Sequence, residues 1–314
     1  MANIVKIAVI CSGTTSSTGE KSIEKLNGIN SCYWRSRIDQ VLPSKPDLIV
    51  LPETCDSFSD LGNLEYHDYI ASGGTIADMI SETAKDNNCY ITYPGLRNHP
   101  TDSKFPFRNS NRIFDRKGIL IGTYDKNHVM TDENDMGIGY GSKAEVIRTD
   151  FGKIACVICF DLNFDMLLRK YAVQKPDLIV FSSAYHGGLR QGQWAYGLRC
   201  HFAGAIRKNT GRILNPFATE LASTTNHYDY VTQKVNLDCA VVHLDYNMAK
   251  IAEAKRKYKE ELTIYDPGNV ASVLLTCEST DKNIHDIIRE FDIELLDDYL
   301  DRALKHREKN INNI

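Results

Sequence analysis

The chain has 314 residues, 42% of them hydrophobic and 25% charged, enough to bury a large core as one sizeable α/β domain or two small ones. A net charge of −4 and a pI near 6.1 leave no broad basic surface, which makes nucleic acid a poor partner. The first residues, MANIVKIAVICSG, lack a basic segment followed by an apolar run of signal length, and no apolar stretch reaches the length of a membrane span. A cytoplasmic setting without membrane association is expected. Nine cysteines, an odd number scattered from position 11 to 277, suit a reducing compartment in which thiols stay free.

Strand-like and helix-like segments alternate along the chain. KIAVI (6–10) is short and rich in β-branched residues; SCYWRSRIDQVL (31–42) has helical spacing; DLIVL (47–51) reads as a strand. TIADMISETAKDNN (75–88) predicts a helix and CYITYPG (89–95) a strand. Strands separated by helices imply crossover connections and a largely parallel or mixed sheet. KPDLIVLPE (45–53) and KPDLIVFSS (175–183) share the six residues KPDLIV, and each follows an amphipathic helical segment. Two readings are open: two similar buried strands, or two related halves whose sheets stack face to face. Beyond residue 245 the pattern changes. AKIAEAKRKYKEEL (249–262) predicts a charged helix with a solvated face, NVASVLLTC (269–277) a strand, and residues 281–309 mostly helix. No Pro/Gly/Ser-rich linker occurs, so the expected organisation is one domain over 1–280 and a helical tail over 281–314. The tail's apolar series, Ile284, Ile287, Ile288, Phe291 and Leu295, would cover the domain edge or a neighbouring subunit.

The stretch ACVICFDLNF (155–164) holds two cysteines three apart. A zinc site needs a second such pair or nearby histidines, and a redox pair sits at the start of a helix. ACVIC has strand composition instead, and residues i and i+3 of a strand point to opposite faces, so Cys156 and Cys159 should not meet. Cys159 falls where the strand turns into a helix. Catalytic groups collect at the carboxyl ends of strands in α/β proteins, and backbone N–H groups there can bind an oxyanion. On this evidence Cys159 is either a core thiol or a nucleophile.

Two further stretches bear on the choice. LPE (51–53) ends a strand-like run on Glu53, and YDK (124–126) ends another on Lys126. With GKIACVIC (152–159), the order Glu, Lys, Cys resembles the nitrilase superfamily of carbon–nitrogen hydrolases over about residues 4–245. Asp161, two residues after the cysteine, and Arg169 in the following helix extend the resemblance, while Phe160 and FDM (164–166) depart from the family pattern. The resemblance implies a four-layer α-β-β-α sandwich, which would account for the duplicated KPDLIV strands.

It also implies roles. Cys159 would attack an amide carbonyl as a thiolate and form a thioester, with Glu53 as proton acceptor and donor. Lys126, with the Phe160 N–H, would hold the oxyanion. Glu133, in the loop TDENDMGIGYG, would orient Lys126 or the substrate amine; a solvated loop acid is the other reading. Ala184, Tyr185 and His186 in SSAYHGG (182–188), together with Phe160, would line the substrate pocket. His128 reads as a satisfied loop histidine. Arg190, Arg199 and Arg207 stay open among a structural role, a subunit contact and a substrate carboxylate. No metal and no cofactor is expected. The expected activity is hydrolysis of a small amide or N-carbamoyl compound by a homodimer or higher homo-oligomer. Nitrile hydrolysis and a non-catalytic binding role are the alternatives; Asp161, where nitrile-acting members tend to carry Glu, favours amides.

Overall fold

The computed structural model describes residues 1–311, which form two compact units: Val5–Lys234, and Met1–Ile4 with the chain from Val235 onward. The unit containing the tail therefore begins at Val235, well before the boundary expected at 280/281.

In the larger unit, β1 (Ile4–Ile10), β2 (Leu48–Val50), β3 (Tyr90–Asn98), β4 (Phe107–Phe114) and β5 (Leu120–Asp125) build the first sheet. A second sheet contains β6 (Ile147–Thr149), β7 (Gly152–Ile158), β8 (Leu178–Ser183), β9 (His201–Ile206), β10 (Arg212–Leu214) and β11 (Glu220–Ser223). β12 (Tyr230–Asn236) joins the first, giving the orders β12-β1-β2-β3-β4-β5 and β11-β10-β9-β8-β7-β6. Each sheet has a parallel trio, β1-β2-β3 and β7-β8-β9, extended by antiparallel strands. The two KPDLIV segments supply the middle strand of each trio, β2 and β8, as expected of two related halves. Both are wholly buried, because a strand paired on both sides and covered on both faces has no solvated face to keep polar. The sheets face one another, and the Ser182 hydroxyl of β8 donates across the interface to the Leu51 carbonyl at 2.8 Å.

Helices flank the sheets. α1 (Ile23–Ile38) buries Leu26, Asn30, Trp34 and Ile38, a stripe repeating every four residues that packs with α3 (Ala77–Asp86) on the first sheet. α1 begins before the expected residue 31 and stops at 38, where the chain enters a short 3₁₀ turn over Leu42–Ser44. α2 (Asn63–Ala71) and the five-residue α4 (Thr131–Asp135) stand near the end of the first sheet. α5 (Asp165–Ala172) and α6 (Leu189–Leu198) follow β7 and β8. Two sheets between helical layers form the expected α-β-β-α sandwich.

The smaller unit packs β13 (Cys239–His243), β14 (Leu262–Tyr265) and β15 (Ser272–Cys277), in the order β13-β15-β14, against α7 (Met248–Tyr258) and α8 (Ile284–Glu290). The tail's apolar series is consumed here: Ile284, Ile287 and Ile288 are buried in this unit's own core, and Phe291 and Leu295 pack against it. α9 (Leu296–Ile311) buries only Leu296 and exposes Leu300, Leu304 and Ile311. Residues 312–314 of the expected tail lie outside the described residues. Among the described residues no helix is long and apolar enough to cross a membrane.

Candidate active site

Three chain segments converge at the carboxyl ends of β2, β5 and β7. Glu53 stands three residues past β2, Lys126 directly follows β5, and Cys159 directly follows β7. All three side chains are nearly withdrawn from solvent, at 4%, 1% and 8% exposure. Lys126 Nζ lies 3.0 Å from Glu53 Oε1 and 2.9 Å from Glu133 Oε2, so one buried ammonium is shared by two carboxylates.

Each group is held by its own local structure. Glu53 accepts from Asn109 Nδ2 at 2.9 Å and from the Ala184 N–H at 3.0 Å, which ties β2, β4 and β8 to a single carboxylate. Glu133 caps its own short helix by accepting the Met130 N–H at 2.9 Å, which aims the carboxylate back at Lys126. The loop after α4 lies directly on the lysine's strand end: Gly141 N donates to the Lys126 carbonyl at 2.7 Å, and a Cβ at Gly141 would run into the Asp125 carbonyl oxygen. Cys159 has φ +46°, a left-handed conformation costly for a residue with a side chain, at the first position of a 3₁₀ turn, Cys159–Asn163.

That strained turn is braced by Asp161. Its wholly buried carboxylate accepts from the Tyr124 hydroxyl at 2.7 Å, the His128 N–H at 2.7 Å and the Ile158 N–H at 3.2 Å. The bond set straps the cysteine turn to the segment around Lys126. Asp161 points into this brace and does not line the cavity. His128 is satisfied by Asp161 and stacks on Phe164 with ring centres 3.8 Å apart.

The electrostatics follow from burial and pairing. Burial alone disfavours the Glu53 carboxylate, but the charge and hydrogen bond of Lys126, with hydrogen bonds from Cys159 and Asn109, hold it below its ordinary value. Burial likewise opposes the Lys126 charge, yet Glu53 above all raises its pKa. Burial, then the neighbouring Glu53 carboxylate, pushes the Cys159 thiol up to about 12. At rest the pair is thus a neutral thiol beside an ionised carboxylate. A raised thiol beside a lowered carboxylate fits the expectation that Glu53 is the proton acceptor for Cys159. Cys156 is buried away from the cavity, with its carbonyl accepting the Tyr171 hydroxyl at 2.7 Å.

Glu53, Lys126 and Cys159 open on a cavity of about 280 Å³ that also reaches Glu133, Ala184 and Arg207. Its lining mixes apolar side chains, Phe58, Leu61, Leu96, Met136 and Ile138, with the polar groups of Asn63, Tyr66 and His67. Phe160, Tyr185 and His186, expected at the pocket wall, do not line it. Phe160 goes edge-on to Phe164, Tyr185 goes edge-on to Phe181, and the His186 ring accepts the Gly188 N–H at 3.1 Å. The left-handed turn at Cys159 and the tight turn after β8 send these rings elsewhere. Asn109 was missed. Its signal was RNSNR (108–112), a run of polar residues inside a strand that is buried almost throughout, where polar groups persist only if they bond to something.

Residues 32–203 match the carbon-nitrogen hydrolase family model. The chain belongs to the carbon-nitrogen hydrolase family. Among similar carbon-nitrogen hydrolases is the omega-amidase NIT2 of Danio rerio, 24% identical over 253 residues, 75% of this chain and 88% of that one. Bovine pantetheinase is 26% identical over 52% of this chain and 35% of its own length. The deaminated glutathione amidase of Dictyostelium discoideum is 24% identical over 51% and 60%. The chain thus spans roughly a third to three fifths of these last two relatives. In fold it resembles Saccharomyces cerevisiae Nit3, a nitrilase-superfamily member (TM-score 0.63, 16% identity, 79% of this chain and 94% of that one). It also resembles the Caenorhabditis elegans NitFhit protein (TM-score 0.64, 16% identity, 93% and 98%).

Proposed function

We propose that this carbon-nitrogen hydrolase is a cysteine-dependent amidase acting on a small amide or N-carbamoyl compound. One observation carries the reading: the side chains of Cys159, Glu53 and Lys126 are all buried at one small cavity, with Lys126 Nζ bonded to the Glu53 carboxylate at 3.0 Å. As Cys159 Sγ bonds to the amide carbon, its proton passes to Glu53, and the carbonyl electrons move onto oxygen. Lys126 offers that oxyanion a fixed positive charge. The Phe160 N–H is proposed as a second donor, since the first N–H groups of a helical turn have no partner within it. Collapse breaks the C–N bond; Glu53 returns the proton to the leaving nitrogen and a thioester remains. Water then attacks the thioester, giving its proton to Glu53, and the acid departs as the thiol is restored.

Lys126 cannot replace Glu53 as base, because a lysine paired with two carboxylates stays protonated. Glu133 is proposed to keep the ammonium in place while Glu53 changes protonation state. The test is trapping. Hydroxylamine added during turnover should divert the acyl group to a hydroxamate at the expense of free acid, and Cys159→Ala should yield neither product. Cys156→Ala should retain most activity. Amide turnover in Cys159→Ala, or loss confined to Cys156→Ala, would refute the assignment.

A further inference from the structure

Two cations line the cavity, and they are used differently. Lys126 is committed to Glu53 and Glu133. Arg207, the residue after β9, has no carboxylate within ion-pair distance among the described residues. Its main-chain N–H donates to the Ser183 carbonyl at 2.9 Å, one residue before the Ala184 N–H that holds Glu53. Its Nη1 donates to Thr54 Oγ1 at 3.1 Å and Ser57 Oγ at 3.4 Å.

Those hydroxyls are themselves oriented. Thr54 donates its own proton to the Glu53 carbonyl at 2.9 Å, and Ser57 donates to the Thr54 carbonyl at 2.8 Å, so each presents a lone pair to the arginine. Thr54 sits at φ +47°, a strained conformation in the loop that also carries Glu53. The bracket uses one corner of the guanidinium. Among the described residues, Nε and Nη2 have no protein acceptor, and that edge has the fork geometry that takes a carboxylate through two parallel hydrogen bonds. The other acid at this cavity, Asp132, is exposed and accepts the Glu133 N–H at 3.0 Å.

We propose that Arg207, held by Thr54 and Ser57, is a carboxylate subsite, so that the compound cleaved at Cys159 is an amide or N-carbamoyl group on a small carboxylic acid. This rests on the amidase reading above and names its substrate class. A cavity of about 280 Å³ suits a short acid of this kind.

The experiment compares glutaramate with pentanamide, which match in chain length and differ in charge. In the wild-type protein kcat/KM should favour glutaramate at least tenfold. Arg207→Met should bring the ratio close to one, mainly by raising KM for glutaramate, and Arg207→Lys should keep an intermediate preference. Pentanamide turnover in each variant reports how much of the fold and triad survives. A ratio unchanged in Arg207→Met overturns the subsite while leaving the amidase reading intact. A second measurement does not depend on turnover: glutaramate should protect Cys159 from iodoacetamide in the wild type and fail to do so in Arg207→Met. If neither amide is hydrolysed but this Arg207-dependent protection is seen, the subsite stands and the amidase reading falls. Equal protection in both proteins, or none in either, overturns the subsite.

Discussion

Lys126→Met should convert a paired charge cluster into an unpaired one, with a pH signature that loss of packing alone would lack. Methionine fills much of the space of the lysine stem but leaves Glu53 and Glu133 without the ammonium 3.0 and 2.9 Å away. Removing one partner of a buried ion pair costs about 3–5 kcal/mol. Glu53 keeps the Asn109 and Ala184 donors and Glu133 keeps the Met130 N–H, so the lower end, about 3 kcal/mol at pH 7, is expected. In the wild type, Glu53 is held below its ordinary value. Its stabilisation is fully present above the unfolded value of 4.5 and is lost only as pH falls through the lower folded value. In the variant, burial is unopposed by the ammonium and raises Glu53. The folded state then binds a proton that the unfolded state does not, and stability falls as pH rises above 4.5. One proton over two pH units amounts to about 2.7 kcal/mol, so the deficit should shrink by roughly 1–3 kcal/mol between pH 7 and pH 5. Urea unfolding of both proteins at pH 5, 6 and 7 measures this, and kcat should fall about 10²–10³-fold from loss of the oxyanion charge. A deficit below about 1 kcal/mol at pH 7, or one constant across that range, would refute the shared-ammonium argument.

Asp161→Asn keeps the shape of the brace but offers donors where Tyr124, His128 and Ile158 also donate. A destabilisation of about 2–4 kcal/mol and a loss of kcat with little change in KM are expected; full kcat in thermally unaltered protein would remove Asp161 from the positioning scheme. The pH profile of kcat/KM should be flat from about pH 6 to 9 with an acid limb below 4.5, because Glu53 is lowered and the Cys159 thiol is raised to about 12. A limb centred between pH 6 and 8 with a non-titrating substrate would show that a different protonation pair governs the reaction.

Much was decided by local residue pattern. The repeated KPDLIV specified two buried strands, since β-branched and aliphatic residues with no alternation fit only a strand covered on both faces, and both became the middle of a parallel trio. Glu53, Lys126 and Cys159 each end an apolar run, which by itself left every one of them open; they were singled out by the order of the three motifs, which resembles one family, and the fold gathers them into one buried cluster. Tertiary structure alone decided the rest, because it depends on which distant segments meet. That Glu133 reaches Lys126 depends on a five-residue helix and a glycine laid against the Asp125 carbonyl. That Asp161 braces the turn and leaves the pocket depends on donors arriving from Tyr124 and His128, more than thirty residues earlier in the chain. The charge states could not be read along the chain either. Whether Cys159 rests as thiol or thiolate depends on burial weighed against two neighbours of opposite charge, and both the burial and the neighbours exist only once the sheets have closed on one another.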